Sequence, residues 1–336
     1  MFTSFCGVGS PALFINFKIS KEDLKLTRIL ITGGAGYLGS ILVPELLKLD
    51  YEVTVVDNFM YKQNSLLDYC MNPNFKIIRG DARDENLMKN LIKDKDYVLP
   101  FAALVGAPIS SRDPFGTVSI NLDARKMLSK ILSKEQRVIL PTTNSGYGIG
   151  QDGIHCTEET PLNPISLYGK TNVESEKIYF DRGNVIVFRL ATVFGASPRM
   201  RIDLLVNDFT YRAVKDRFVI LFESNFKRNY IHVRDVARAV IHGIQNFDTM
   251  KNEPYNVGLS DANLSKLELC QKIKEHISDF VFMDAPIGED PDKRNYIVSN
   301  EKIEKTGYKP KFSLDDGIEE LKKVYTIINN SIYSNV

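Results

Sequence analysis

Short apolar segments alternate with segments of helical apolar spacing along most of the chain from Arg28 onward. The apolar segments predict six strands, at Arg28–Thr32, Glu52–Val56, Phe75–Arg79, Tyr97–Phe101, Arg137–Pro141 and Asn184–Arg189. The intervening segments predict helices at Tyr37–Leu49, Leu87–Ile92, Pro114–Ser133 and Ser166–Phe180. Because strands that alternate with helices form parallel sheets with right-handed crossovers, this pattern predicts a doubly wound α/β fold.

The alternation loosens after Arg189. One strand is predicted there, Arg228–Val233, among four helices at Arg201–Asp216, Asp235–Asn246, Leu264–His276 and Asp315–Ile328. We expect these elements to form a smaller C-terminal lobe over the carboxyl ends of the parallel strands. That edge is where open α/β sheets bind their ligands.

Composition narrows the possible partners. The 336 residues include 43 basic and 42 acidic side chains, a formal net charge of +1, which favours neither nucleic acid nor a membrane surface. Cys6, Cys70, Cys156 and Cys270 lie far apart and indicate neither a metal site nor disulfides, which fits a reducing, cytoplasmic location. No apolar stretch reaches the roughly 18 residues of a membrane span. Residues 1–27 precede the first strand; no role and no secretory signal is predicted for them.

Four glycines stand between the first strand and the first helix, at Gly33, Gly34, Gly36 and Gly39. With Thr32 they form the pattern T-G-x-x-G-x-x-G, which lets backbone amides approach a pyrophosphate near a helix N-terminus. The alternative is a glycine-rich turn in an ordinary α/β protein. We expect dinucleotide contacts from five residues of this loop: Gly33, Gly36, Tyr37, Leu38 and Gly39.

The second predicted strand leads to an acid, Asp57, eighteen residues after Gly39. A carboxylate at that place accepts hydrogen bonds from the adenosine ribose hydroxyls and repels a 2′-phosphate. The sequence therefore predicts NAD rather than NADP. The adjacent Asn58 is also expected to contact the cofactor.

Two further motifs occur in order along the chain. Pro141–Gly148 reads PTTNSGYG and follows a predicted strand, and Asn163–Asn172 reads NPISLYGKTN and opens a predicted helix. Together with the glycine loop they resemble the extended short-chain dehydrogenase/reductases of the NAD-dependent epimerase/dehydratase family, which act on nucleotide sugars. The resemblance covers nearly everything from Arg28 to about Ile328. It implies a Rossmann-type sheet in 28–190, with a return segment at about 228–258, and a substrate-binding lobe in 191–227 and 259–330.

The resemblance implies a catalytic pair, Thr143 and Tyr168. In the family the tyrosine takes the proton from a sugar hydroxyl while hydride leaves the same carbon for the nicotinamide, and the threonine hydroxyl holds the substrate oxygen. The alternative is that Tyr168 merely packs at a helix start and Thr143 ends a strand.

One position departs from the family pattern Y-x-x-x-K, because Asn172 stands in place of the lysine, about one helical turn after Tyr168. The lysine lowers the phenol pKa by its charge, whereas an unperturbed tyrosine ionises near pH 10, about three units too high for a base at neutral pH. Three outcomes stay open: weak or lost oxidation, another cation in this place, or a protein that binds NAD without turnover. On this reasoning Asn172→Lys is expected to raise turnover.

A second departure concerns Asn144 and Ser145, which stand where the 4,6-dehydratases carry Asp-Glu. Neither side chain titrates near neutral pH, so dehydratase chemistry is not expected. The resemblance instead implies that both contact the substrate.

The resemblance also implies cofactor contacts beyond the glycine loop, at Asp81, Ala82, Ala102, Ala103 and Asn121. The alternative for Asn121 is an ordinary exposed helix residue. For the substrate it implies four arginines, because guanidinium groups bind a diphosphate bidentately: Arg199, Arg201, Arg228 and Arg294.

Three strings, TTNSGYGIG, RLATVFGASPRMRIDLLVNDFTYRA and GEDPDKR, resemble a narrower group, the GDP-heptose 4-dehydrogenases of capsule synthesis. This implies NAD-dependent oxidation at C4 of a nucleotide-diphosphate sugar, with GDP favoured as the nucleotide and no metal. A 4-epimerase and an NAD-binding protein without turnover stay open. Family members usually dimerise through two helices, here Pro114–Ser133 and Ser166–Phe180, so a homodimer is expected.

Overall fold

A computed structural model describes residues 26–285 and 294–328. The strands in these ranges are β1 (Arg28–Thr32), β2 (Glu52–Asp57), β3 (Phe75–Arg79), β4 (Tyr97–Pro100), β5 (Arg137–Thr143), β6 (His155–Cys156), β7 (Val185–Leu190), β8 (Thr192–Phe194), β9 (Phe218–Leu221), β10 (Lys227–His232), β11 (Glu253–Val257), β12 (Asn263–Ser265), β13 (Val281–Asp284) and β14 (Ile297–Val298). The helices are α1 (Gly39–Lys48), α2 (Glu85–Leu91), α3 (Ala107–Arg112), α4 (Pro114–Val118), α5 (Ala124–Ile131), α6 (Leu167–Arg182), α7 (Leu205–Lys215), α8 (Val233–Gln245), α9 (Phe247–Met250), α10 (Lys266–His276), α11 (Glu301–Glu304) and α12 (Leu314–Ile327). Of the extension before β1, residues 1–25 lie outside the described ranges, as does all of the string GEDPDKR except Arg294.

Seven parallel strands form the main sheet, in the order β11-β7-β5-β4-β1-β2-β3. Successive side chains of β1 enter different cores, since Ile29 and Ile31 pack in a cluster with α1 and α8, whereas Leu30 packs in a cluster with α2, α5 and α6. Both faces of the sheet are therefore covered by helices, which is why its central strands are almost uniformly apolar. The predicted Rossmann-type doubly wound fold is confirmed.

The smaller lobe has its own core. Strand β10 pairs in parallel with β8 and antiparallel with β12, and β9 pairs with β13. Helices α7, α10 and α12 cover these strands, and Phe194, Tyr230 and Tyr325 are fully buried between them. Within the predicted return segment, β11 joins the edge of the main sheet and α8 packs on α1, while β10 belongs to the three-stranded sheet of this lobe.

Two predicted helices are shorter or broken. The predicted helix Arg201–Asp216 begins only at Leu205, because the Asn207 amide donates to the Arg201 carbonyl oxygen at 2.8 Å and holds the preceding residues in an irregular segment. The predicted helix Pro114–Ser133 is divided into α4 and α5 by a π-helical turn at Ser119–Asp123. There the Asn121 carbonyl accepts a hydrogen bond from the Ser175 hydroxyl of α6 at 2.9 Å, and such π turns often occur at functional sites.

None of the helices in 26–285 and 294–328 is long and apolar enough to cross a membrane.

Candidate functional site

A cavity opens at the carboxyl ends of the main-sheet strands, where the loops after β1, β2, β4 and β5 meet the smaller lobe. It brings together most of the residues that the sequence predicts for the site: Gly33, Gly36, Tyr37, Leu38, Gly39, Asp57, Asn58, Asp81, Ala82, Ala102, Ala103, Thr143, Ser145, Tyr168, Asn172, Arg199, Arg201 and Arg294. Three predicted residues do not line it: Asn121, Asn144 and Arg228.

The glycine loop is packed too closely for side chains. Gly33 has a φ of +68°, and a Cβ there would lie 2.7 Å from the Ala102 Cα. A Cβ on Gly39 would lie 2.3 Å from the Gly34 carbonyl oxygen. Helix α1 begins at Gly39 and no side chain caps its first turn, so its amides and dipole favour an anionic ligand.

The Asp57 carboxylate organises the neighbouring wall of the cavity. It accepts hydrogen bonds from the Ala35 amide at 3.1 Å, the Phe59 amide at 2.8 Å and Gln63 Nε2 at 3.2 Å. Burial raises the pKa of Asp57, and these three donors oppose that shift. An ionised carboxylate has about four acceptor positions, so one remains for a hydroxyl of a ligand.

Asp81 lies next to this wall, after β3. Its carboxylate forms an ion pair with Arg83, at 2.7 Å, and the hydrogen bonds from Arg83 lower the pKa of Asp81 to about 2. Asn58 Nδ2 reaches the same carboxylate at 3.5 Å. Asp81 is thus held ionised and oriented at the rim of the cavity.

Thr143 and Tyr168 both line the cavity. Thr143 is the last residue of β5, and Tyr168 lies in the first turn of α6, which Ser166 caps by accepting from the Gly169 amide at 3.1 Å. The Thr143 hydroxyl lies close enough to the Tyr168 phenol to lower the pKa of Tyr168. The alternative that each serves only local packing does not account for the presence of both side chains in the wall of one cavity.

Ser145 extends this group of hydroxyls. The Thr143 and Ser145 hydroxyl oxygens lie 2.9 Å apart, and the Ser145 amide donates to Thr143 Oγ1 at 3.1 Å. The Arg294 guanidinium donates to Ser145 Oγ. The cavity therefore contains a chain of hydrogen-bonded polar groups that leads from the Arg294 guanidinium to Thr143.

An arginine that the sequence did not suggest occupies the region of Asn172. Arg125 Nη1 donates to Asn172 Oδ1 at 3.0 Å, and Asn172 Nδ2 donates to the Tyr168 carbonyl oxygen at 2.8 Å. Arg125 lines the cavity although it is only 4% exposed. The sequence feature that could have suggested Arg125 is its spacing of four residues from Asn121, a predicted site residue, because this spacing puts both residues on one helical face.

Two opposing effects act on the pKa of the Tyr168 phenol. Burial raises the pKa of Tyr168, whereas the charges of Arg125, Arg201 and Arg294 and the polar Thr143 hydroxyl lower it. Burial has the larger effect in this state of the protein, so the pKa lies above its usual value. Removal of a neighbouring cation would raise it further.

The remaining cations of the cavity differ in their surroundings. Arg201 forms an ion pair with Asp203 and donates to the Val105 carbonyl oxygen at 3.2 Å. The Arg199 guanidinium stacks over the Tyr61 ring, 4.5 Å from its centroid. Tyr61, which the sequence analysis missed, thereby holds one of the predicted diphosphate contacts in place.

The three predicted residues outside the cavity wall have identifiable partners or positions. Asn121 is fully buried, not exposed, and its amide group exchanges two hydrogen bonds of 2.8 Å with the Leu104 backbone, so that it supports the segment after β4. Arg228 stacks over Tyr296, whose ring lines the cavity. Asn144 is only 1% exposed and its amide atoms have no hydrogen-bond partner in the described residues.

These observations fit a dinucleotide. The glycine loop leaves space that any Cβ would remove, α1 presents an uncapped N-terminus, and Asp57 has acceptor capacity left beside them. The residues that would hold NAD are the glycine loop at the pyrophosphate and Asp57 at the adenosine ribose.

Comparisons with known proteins agree with this interpretation. The family model described as "NAD dependent epimerase/dehydratase family" matches residues 29–258. The low-salt glycan biosynthesis protein Agl12 of Haloferax volcanii is 29% identical over 312 residues, 88% of this chain and 98% of that protein. UDP-glucuronic acid decarboxylase 1 of Arabidopsis thaliana is 29% identical over 314 residues, 88% of this chain and 69% of that protein.

Solved structures show the same fold. The crystal structure of UDP-glucose 4-epimerase from Thermotoga maritima, with UDP-glucose, matches with a TM-score of 0.78 and 26% identity, over 89% of this chain and 99% of that one. The chain belongs to the NAD-dependent epimerase/dehydratase family, and NAD, on which that family depends, is its cofactor.

Proposed function

We propose that this protein oxidises the C4 hydroxyl of a nucleotide-diphosphate sugar. The observation that carries the proposal is that Thr143 and Tyr168, whose phenol the Thr143 hydroxyl influences, line the same cavity as the glycine loop and four arginines. NAD, when bound, supplies the hydride acceptor.

The residues around the phenol have distinct tasks. The Tyr168 phenolate accepts the proton of the sugar hydroxyl as the C4–H bond breaks, and the Thr143 hydroxyl holds the same sugar oxygen. The hydride and the proton thus leave together and a 4-keto sugar remains. Ser145 and Arg294 hold the Thr143 hydroxyl in one orientation through their own hydrogen bonds.

The substrate's diphosphate is assigned to the arginines of the cavity. Arg199 and Arg201 are buried, and a buried guanidinium keeps its charge and binds phosphate oxygens bidentately. A GDP-sugar is favoured by the three strings that resemble the GDP-heptose 4-dehydrogenases. The similar proteins named above act, by their names, on UDP-sugars where a nucleotide is stated, so the nucleotide must be tested directly.

A 4-epimerase is the second candidate. It is supported by the similarity to the Thermotoga maritima enzyme and by the absence of a carboxylate at positions 144 and 145, where Asn144 and Ser145 could not catalyse elimination of water. An epimerase would use the same Tyr168 and Thr143 but return the hydride to the other face of C4. A protein that holds NAD without turnover is the third candidate, because of Asn172.

The test is a panel of GDP-, UDP-, CDP- and dTDP-sugars incubated with NAD and the purified protein. We expect NADH and a 4-keto sugar from at least one member, with GDP-sugars the strongest, and loss of at least about a hundredfold in rate for Tyr168→Phe. The control is Tyr69→Phe, since Tyr69 lies in a short turn outside the cavity.

Other outcomes point to the other candidates. Interconversion of C4 epimers without net NADH supports the epimerase. NAD binding without turnover of any sugar, even at high pH, supports the binding protein and contradicts the proposal.

A further inference from the structure

Position 172, where the family pattern has a lysine, is occupied by an asparagine, and the Asn172 side chain is hydrogen-bonded to Arg125. Asn172 Oδ1 accepts from Arg125 Nη1 at 3.0 Å, and the same guanidinium donates through Nη2 to the Pro100 and Pro141 carbonyl oxygens, each at 3.4 Å. We propose that Arg125 supplies the positive charge for the Tyr168 phenol that a lysine at position 172 would otherwise supply. This inference rests on the proposed function of the same site.

Arg125 is suited to this task because its charge is not neutralised. Its hydrogen bonds go to the Asn172 amide oxygen and to backbone carbonyl oxygens, and no carboxylate of the described residues is among its partners. Arg201 also lowers the pKa of the phenol, but its charge is partly offset by its ion pair with Asp203. Arg294 faces the phenol from the segment before β14 and bonds Ser145.

Two phenols share the field of Arg125. Tyr179, about three turns beyond Tyr168 on α6, is fully buried in the core between the sheet and its helices, and its burial keeps its pKa high. Tyr168 lines the cavity, where a substrate hydroxyl can reach it. The useful part of the Arg125 field therefore falls on Tyr168. Thr143, whose hydroxyl also lowers the pKa of this phenol, carries no charge.

Asn172 acts as the positioning residue for this cation. Its Oδ1 holds the guanidinium, and its Nδ2 is fixed by the Tyr168 carbonyl oxygen at 2.8 Å. A lysine at 172 would bring a second cation against Arg125. The expectation from sequence that Asn172→Lys raises turnover is therefore replaced by the opposite one, a loss of activity through like-charge repulsion.

The first experiment measures the pH dependence of kcat for Arg125→Met, Arg125→Lys, Asn172→Lys and the double variant Arg125→Met/Asn172→Lys. The pKa of the catalytic base governs the limb on which kcat rises with pH. Arg125→Met is expected to raise this pKa by about one to two units, which lowers the rate at neutral pH by about ten- to a hundredfold. Arg125→Lys is expected to keep part of the lowering of this pKa, because lysine retains the positive charge. The double variant should recover most of the loss, because lysine can then occupy the vacated space.

The matched control is Arg182→Met. Arg182 is also a buried arginine that donates to backbone carbonyl oxygens, those of Ser133, Gln136 and Gly183, but it lies at the far end of the sheet. Its loss is expected to lower the melting temperature without moving the pH profile. An Arg125→Met profile that coincides with wild type, or a double variant no faster than Arg125→Met, would overturn the proposal. If Arg125→Met does not fold, a rise in turnover for Asn172→Lys would overturn it as well.

The second experiment needs no substrate. Tyrosinate absorbance is titrated in the protein loaded with NAD, and the curve of the matching Tyr168→Phe variant is subtracted in each background. The Tyr168 midpoint is expected to rise by about one unit or more in Arg125→Met and to return toward wild type in the double variant. This shift without turnover of any sugar would reject the proposed function alone, whereas turnover with an unshifted midpoint would reject the role of Arg125 alone.

Discussion

Asp57 shows how a single carboxylate can serve both the fold and a ligand. Three donors from the glycine loop and the segment after β2 hold it in one orientation, and its burial raises its pKa. The carboxylate thus ties the end of β2 to the loop after β1, and the same negative charge would meet a 2′-phosphate unfavourably.

We predict that Asp57→Ala weakens NAD binding by about tenfold, the loss of one or two hydrogen bonds to a charged group. Calorimetry with NAD and with NADP measures it. The same change removes the repulsion between the Asp57 carboxylate and the 2′-phosphate of NADP. The ratio of the Kd for NADP to the Kd for NAD should therefore fall. A general loosening of the loop would weaken both ligands equally, and this result would contradict the assignment of Asp57 to the ribose.

Residues with a motif could be predicted, and residues defined by tertiary contact could not. The glycine loop and Asp57 follow from local spacing, and Thr143 and Tyr168 follow from the family resemblance of two short motifs. Three of the loop glycines and all three of these side chains line one cavity. Arg125 comes from a separate helix, and its position beside Asn172 depends on how α5 packs on α6, which no local pattern specifies. The same limit explains why Arg228 was wrongly expected in the cavity wall. Its strand belongs to the three-stranded sheet, and its guanidinium stacks over Tyr296.

At the scale of elements, apolar runs located six of the seven main-sheet strands to within about two residues, because central parallel strands are buried on both faces. The seventh, the edge strand β11, was not predicted. The start of β7 was misplaced by one residue, since Asn184 has a φ of +55° and belongs to the turn after α6. Strands β6, β8, β9, β12, β13 and β14 were not predicted either, because two to four residues are too short to show a period of two.

Two helices of the smaller lobe are joined by a histidine. His276, the last residue of α10, hydrogen-bonds Glu319 through Nδ1 and Asp315 through Nε2, both at 2.7 Å and both on α12. Burial alone would lower the pKa of His276, but its two carboxylate partners outweigh burial and raise it above 6.5.

We predict from this shift that the α10–α12 contact weakens as pH rises. The stabilisation is fully present below pH 6.5, the unfolded value, and is lost as pH rises through the raised folded value, because the neutral ring can donate only one hydrogen bond. Urea unfolding should give wild type an advantage over His276→Gln of about 1 kcal/mol or less at about pH 6, and none at about pH 9. The control is His155→Gln on the exposed side of β6. An advantage that is equal at both pH values would contradict the prediction.

At the scale of the whole molecule, the glycine loop is bound to the smaller lobe. The Tyr37 hydroxyl donates to the Gly195 carbonyl oxygen at 2.7 Å, and the Ser197 hydroxyl donates to the Tyr37 carbonyl oxygen at 2.7 Å. The Ala196 amide between them donates to Glu320 of α12 at 2.8 Å. The segment 195–197 therefore connects the predicted pyrophosphate site with the core of the lobe that is proposed to hold the sugar nucleotide.

The surface of α4 offers a test of the homodimer that the family resemblance implies. Phe115 is 85% exposed on this helix, which packs beside α6, the other helix expected at the interface. Burial of a phenylalanine contributes about 1.5–3 kcal/mol, so its exposure in the monomer favours a partner at this surface.

We predict that wild type sediments as a dimer and that Phe115→Asp shifts it toward monomer, with a dissociation constant raised by at least about tenfold, since the change removes apolar burial and adds a charge. Met71→Asp is the control, because Met71 is 94% exposed but lies in the loop before β3. Analytical ultracentrifugation over a concentration series measures both variants. A dimer that persists in Phe115→Asp but dissociates in Met71→Asp would place the interface elsewhere, and a wild type that is monomeric at every concentration would contradict the dimer itself.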